Sequence, residues 1–217
     1  MAGSEGFEPE SDRVTRQLRD DILDGVRPPG SKLVERELAA ELGVSRLPIR
    51  DALKALVNEG LVTPRPRTWA VVREFTPTDI ADIDEVRSAL DTLTFRLAAQ
   101  RRTREGLAKL RADLDAEFEA ARRGDAVQAR RAAADFHQTA TSLAANDLLS
   151  ELEGTLRSRL RWLQVRHDDL LDVAREHEGL YDAIAARDVP RVEELIAKHL
   201  ESGRNSAAAH LRGAKEE

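Results

Sequence analysis

The sequence predicts a mainly α protein: an N-terminal winged helix-turn-helix with a small β-hairpin wing, followed by an all-α six-helix bundle. Three observations predict it. Leu38 to Leu56 reads as a short helix, a glycine turn at Gly43 and a second helix with two chemically distinct sides. Two short β-prone runs, Leu61 to Arg65 and Trp69 to Arg73, then flank a Pro/Arg turn. From Thr76 onward apolar residues recur at helical spacing, with no further strand signal.

Composition narrows the possibilities. The 217 residues suit one large domain or two small ones. Aromatic residues make up only 4%, while Ala, Leu, Arg and Glu abound, a mixture that favours helices. With no cysteine, disulfides, thiolate zinc sites and cysteine nucleophiles are all excluded. No apolar run is long enough to span a membrane, and the acidic, Gly/Ser-bearing start is unlike a signal peptide, so a cytoplasmic protein is expected. The net charge of −6 is unevenly spread. Arg27 to Arg73 carries nine basic and five acidic residues, a net of +4, which leaves −10 for the rest. A basic module on an acidic body is a common arrangement in regulators.

Taken in order, residues 1–11 form a patternless tail expected to be disordered. Val14, Leu18 and Ile22 then recur every four residues, giving a first helix from Asp12 that ends at Gly25. Val26 to Leu33 holds two prolines and reads as a turn-rich connector. In the second helix of the central pair, Ser45 fits the N-cap and Pro48 sits in the first turn, where a missing N–H is tolerated. Ile49, Ala52, Leu53, Leu56 and Val57 form its apolar side, and Gly60 its stop. Arg46, Arg50 and Lys54 recur every fourth residue on another side. An isolated cationic stripe is ordinarily a solvated helix face. Behind a glycine turn and before a wing, it is the pattern of a helix that reads double-stranded DNA. Arg65 and Arg67 are the wing's candidate contacts. The winged module thus spans 12–75.

The helical domain spans 76–214. Thr76-Pro77-Thr78-Asp79 has the form of a capping box with proline at the first helical position. Six helices follow: Pro77 to Arg101, Thr103 to Arg123, Ala126 to Ala145, one from Asn146 carrying Leu149, Leu152, Leu156, Leu160 and Leu163, Asp168 to Arg187, and one opened by Asp188-Val189-Pro190. His137, His177 and His199 fall on three of them, each beside apolar residues. They are either buried histidines with ordinary hydrogen-bond partners or, if their helices converge, ligands for a divalent metal such as Zn or Ni.

The winged module resembles the GntR family of bacterial transcription regulators. The resemblance rests on Ile22-Leu23-Asp24-Gly25, Pro29-Gly30, Leu33, Glu35, Leu38-Ala39, Leu42-Gly43-Val44-Ser45-Arg46, Pro48, Arg50, Ala52-Leu53, Leu56 and Glu59-Gly60-Leu61-Val62. The bundle resembles the ligand-sensing FCD domain of the FadR-like subfamily, through Asp84-Glu85-Val86-Arg87, Phe136-His137, Asn146, Leu148-Leu149, Glu176-His177, Ala183-Ile184, Asp188 and His199-Leu200. Six helices look more like its VanR-type branch. The resemblance implies a DNA-contact set of Arg36, Ser45, Arg46, Pro48 and Arg50, beside Lys54 and the wing arginines. It also implies one pocket shared by the three histidines, with Arg87 and Asn146 as further effector contacts. Arg87 suits a carboxylate, but equally an intrahelical pair with Asp84 or Asp91; Asn146 is equally a helix cap.

Two positions depart from the family pattern. Ala133 stands where an Asp usually completes an Asp-His₃ metal site, and Trp69 stands where the wing tip usually has glycine. The expected protein is a homodimeric repressor that binds operator DNA and is controlled by a small organic acid. Two alternatives stay open: a metal-dependent helical enzyme with an appended nucleic-acid module, and a structural DNA-binding dimer that senses nothing.

Overall fold

Helix α1 (Glu10–Leu23) starts two residues before the apolar repeat suggested, with Glu10 and Asp12 in its first turn facing the positive end of the helix dipole. The computed structural model describes residues 8–65, 69–164 and 169–213. The chain divides into two units, Met1–Phe75 and Thr76–Glu217. In the first, α1 is followed by β1 (Lys32–Val34), α2 (Glu35–Leu42), α3 (Arg46–Asn58), β2 (Val62–Arg65) and β3 (Trp69–Val72).

Gly43 adopts a left-handed φ of +65° and turns the chain sharply between α2 and α3. The apolar sides of three elements meet in the core of this unit: Val14, Leu18 and Ile22 of α1, Leu38 of α2, and Ile49, Ala52 and Leu56 of α3. Arg19 closes the bundle from outside, donating from Nε and Nη2 to the Glu59 carboxylate at 2.7 and 2.6 Å.

The wing is more than a hairpin. β3 pairs antiparallel with β2 and also with β1, giving a three-stranded sheet in the order β1-β3-β2. The segment expected to be only a connector therefore contributes a strand, with Leu33 opposite Ala70 and fully buried. Trp69 is not at the tip. It opens β3, opposite Val34 on one side and Arg65 on the other, so the stretch between the strands is 66–68. That stretch, including the candidate Arg67, lies outside the described residues, as do residues 1–7 of the expected tail.

Six helices build the second unit among the described residues: α4 (Pro77–Arg101), α5 (Arg104–Arg122), α6 (Ala126–Ala144), α7 (Asp147–Gln164), α8 (Leu170–Ala186) and α9 (Val189–Gly213). The expected capping box is present. The Thr76 hydroxyl accepts from the Asp79 N–H at 3.1 Å, while the Thr76 N–H donates to Asp79 Oδ2 at 2.8 Å. Phe95, Leu110, Leu114, Phe136, Leu180, Ile184, Val192 and Ile196 form the main core, drawn from α4, α5, α6, α8 and α9. Helix α7 stands apart from that core. Of its leucine stripe Leu149 is enclosed, against Leu97 and Ala144, while Leu152 is 48% exposed and the neighbouring Leu148 64%. No described helix is long and apolar enough to cross a membrane.

Candidate functional site

The first unit presents a cationic face built on α3. Its apolar side is buried, and this turns Arg46, Arg50 and Lys54 outward; Arg36 on α2 and Arg65 at the end of β2 are exposed as well. One carboxylate organises the two arginines. Glu35, the first residue of α2, accepts from Arg50 Nε and Nη2 at 3.2 and 3.1 Å and from Arg46 Nη2 at 3.0 Å. The Glu35 side chain is only 15% exposed, whereas those of Arg46 and Arg50 are 54% and 51% exposed. The hydrogen bond from Arg50 holds the Glu35 carboxyl below the ordinary glutamate range, with that from Arg46 adding to it. Glu35 takes only some of the guanidinium N–H groups, and the exposed arginines keep others for guanine edges or phosphates.

Two of the expected contacts change character. Pro48 is buried, so its ring belongs to the packing of α3 and leaves the contact set. Ser45 occupies the N-cap position but makes no side-chain capping bond, which leaves its exposed hydroxyl for other partners. Lys54 donates to Asp51 Oδ1 at 3.1 Å across an exposed i, i+3 pair of the kind that is easily exchanged. Leu47, which the sequence reading passed over, is 64% exposed. At 100° per residue it lies about 20° from Lys54 around α3, so an apolar side chain sits among the cations, suited to a thymine methyl group.

The second unit holds a small pocket of about 20 Å³ lined by Arg87, Glu117, Ala129, Arg130, Ala133, His137, Leu170, Val173, His177 and His199. The three histidines do converge. One ring nitrogen from each lies within 4.8 Å of the others, and His177 and His199 are 1% and 2% exposed. Phe136 stacks on His177 with centroids 4.6 Å apart, and Phe95 meets His137 edge-on at 5.3 Å.

Carboxylates fix the rings from behind. His177 Nδ1 donates to Glu117 Oε2 at 2.8 Å, and His199 Nδ1 to Glu176 Oε2 at 2.7 Å. An ionised carboxylate only accepts, so each of these imidazoles carries its proton on Nδ1 and offers the Nε2 lone pair. His177 Nε2 is buried without a hydrogen-bond partner. His199 Nε2 accepts from Arg87 Nη2 at 3.3 Å, while Arg87 Nε donates to Asp91 Oδ2 at 3.1 Å. Asp91 in turn lies 3.8 Å from His137 Nδ1, and its burial raises its pKa.

Arg87 therefore satisfies both readings the sequence left open: it pairs with Asp91 and it lines the cavity. Asn146 does not. It caps α7, its Oδ1 accepting from the Leu149 N–H at 3.2 Å, and it is not part of the cavity lining.

Nitrogens on a tetrahedral Zn²⁺ stand about 3.3 Å apart, given bonds of about 2.0–2.1 Å. The histidine ring is somewhat wider than that and would have to draw in, with Arg87 releasing His199. Within that adjustment the donor set fits a divalent ion: three imidazoles, two of them hydrogen-bonded to carboxylates from behind, and one orphaned ring nitrogen. Ala133 lines the cavity without a donor, so three protein ligands leave open positions. The sequence pointed to the histidines, to Arg87 and to Asp91 as its possible partner, but missed Glu117 and Arg130, which carry no local signal of their own.

A winged-helix module with an outward cationic helix, in a chain whose second unit is a helical bundle holding a histidine-lined pocket, defines a DNA-binding regulator of transcription as a class. Comparison with known proteins agrees. Residues 10–72 match the bacterial regulatory proteins of the gntR family, and residues 82–202 match the FCD domain. The chain belongs to the gntR family and carries an FCD domain. It is 30% identical to a probable D-xylose utilization operon transcriptional repressor of Paenarthrobacter nicotinovorans, over 92% of this chain and 91% of that protein. It is 27% identical to the HTH-type transcriptional repressor RspR of Escherichia coli, over 89% of this chain and 87% of that protein. The solved structure of E. coli McbR/YncC shares the fold with a TM-score of 0.83, at 21% identity, covering 94% of this chain and all of that one. These relatives are regulators of transcription rather than enzymes.

Proposed function

We propose that the protein is a cytoplasmic homodimeric repressor whose two winged modules read the half-sites of a palindromic operator and which a small organic acid releases. The observation that carries this reading is the Glu35-centred pair Arg46 and Arg50, held outward on α3. A single winged module makes few base and phosphate contacts, and pairing two of them on one twofold axis raises affinity to the range operators need. The exposed Leu148 and Leu152, one turn apart on α7, support a homodimer seam on that helix. The six-helix count is the ground for assigning the bundle to the VanR-type branch.

In the second unit, Arg87 and the three histidines would receive the acid. A divalent ion held by His137, His177 and His199 would supply a Lewis-acidic anchor for a carboxylate. The chain's own groups do the rest: Glu117 and Glu176 fix the imidazole tautomers, Asp91 aims Arg87, and the apolar lining excludes water. An acid that binds one domain arrangement better than another shifts the population and with it the operator affinity.

The test is a gel shift of the purified protein on the DNA upstream of its own gene, with and without a panel of organic acids. A retarded band that one acid abolishes supports the reading. A band that no acid alters favours a structural dimer, and no band at all contradicts DNA binding.

A further inference from the structure

Leu47 is the large apolar side chain that α3 leaves exposed, at 64%. At about 100° per residue the exposed residues of this helix, Arg46, Leu47, Arg50, Asp51, Lys54 and Asn58, fall within an arc of about 140°. The buried ones, Pro48, Ile49, Ala52, Leu53 and Leu56, fill an arc of about the same width on the other side. Leu47 stands about 170° from the middle of that buried arc, so it is no overflow of the apolar side. Its neighbours on the exposed arc are all polar or charged, and the core of the unit makes no use of it.

Its place along the helix is equally specific. Helix α3 begins at Arg46, which makes Leu47 its second residue. A recognition helix in the major groove brings its N-terminal residues to the base edges. Arg46 and Arg50, joined through Glu35, lie to one side of Leu47, about 100° and 60° away around the helix. Their guanidinium groups suit guanine edges and phosphates; Leu47 offers neither donor nor acceptor. On the major-groove edges of the four bases the apolar group is the thymine 5-methyl, while cytosine presents an amino donor and the purines present acceptors. A leucine laid against those polar edges would strip their water and return no hydrogen bond. Against a methyl group, it removes apolar surface from water on both sides.

We propose that Leu47 is a specificity-determining residue, packing on the 5-methyl group of one thymine in each site that a winged module binds. The inference rests on the reading of α3 as the DNA-facing helix and adds an apolar contact to its polar ones. The cations supply the salt-dependent affinity that any sequence shares, and Leu47 supplies discrimination at one base pair.

The test begins with selection of bound sequences from a random double-stranded DNA library by the full-length protein. The enriched sequence is then synthesised with each thymine replaced in turn by uracil, which lacks only the methyl group. Fluorescence anisotropy gives the affinity of wild type and Leu47→Ala for each duplex. For the wild type, one thymine in each bound site is expected to cost about fourfold on replacement by uracil, the worth of one buried methyl group. Leu47→Ala is expected to bind the thymine and uracil forms of that position alike, and to keep the wild-type response at every other thymine. Its melting temperature, expected to match the wild type because the side chain is exposed, monitors the fold. A wild type indifferent to uracil at every position, or a Leu47→Ala that keeps the full uracil penalty, would overturn the inference while leaving sequence-specific binding intact. If the wild type enriches no sequence, DNA reading by α3 itself fails, and this inference with it.

Discussion

Glu35 shows how a single residue sets the chemistry of the DNA-facing side. Counted as charge, it weakens a basic module; placed at the start of α2, it gathers Arg46 and Arg50 into one fixed fork. Glu35→Gln should therefore raise affinity for random DNA while lowering discrimination between operator and random sequence, a ratio read by competition binding. Arg46→Ala should cost about tenfold or more in operator affinity and reduce the slope of log K against log salt by about one. The same carboxylate has a pH signature. Because its folded pKa lies below the ordinary value of 4.5, its contribution to stability is complete above that value and is lost as pH falls through the depressed one. Urea midpoints of wild type and Glu35→Gln should then differ at pH 6 and converge in acid. Equal differences at all pH values would show that the carboxylate is not so held.

At the scale of elements, helices with one apolar face were legible in the sequence because a face repeats every three or four residues. Ile49, Ala52, Leu53 and Leu56 on α3 are the clearest case. Caps were legible too where a side chain must meet a particular N–H. Thr76→Ala should cost about 0.5–2 kcal/mol of stability, since it removes the hydroxyl half of the box that opens α4; a melting temperature measures it. Strand β1 was not legible. Three residues after two prolines are too few to show alternation, and its pairing is with a strand 35 residues or more away. The polar lining of the second unit was hidden for a similar reason. On α4 the buried positions include Arg87, Asp91 and Thr94, so the enclosed side of that helix is not an apolar stripe. Glu117 and His177 meet across 60 residues of sequence, a contact no local pattern announces. The histidine cluster makes a direct prediction for the metal. Zn²⁺ should raise the melting temperature of the wild type and leave His177→Ala unchanged, with elemental analysis of both as the check. A wild type that neither shifts nor carries metal would remove the ion from the account.

At the scale of the molecule, the unequal charge of the two halves matches a division of labour. The Arg27–Arg73 stretch is basic, although Arg27 is occupied by Asp21 and Glu41 and is 16% exposed, so fewer cations than the count suggested face outward. The helical unit keeps exposed leucines on α7 beyond what its own core uses. If that face joins two copies, Leu148→Glu combined with Leu152→Glu should yield monomers by sedimentation and weaken operator binding by far more than either half-site alone could explain. Dimers that persist in the double variant would place the seam elsewhere. The central claim, that a clamped arginine pair on α3 reads DNA under control of an acid held in the second unit, comes down to one measurement: fluorescence anisotropy of the upstream DNA titrated with wild type and Arg46→Ala, each with and without the acid that binds most tightly. The account predicts tight, salt-dependent binding by the wild type, weakened by the acid, and weak binding by Arg46→Ala throughout. Wild type and variant binding alike, or an acid that occupies the cavity and leaves the DNA affinity unchanged, would contradict it.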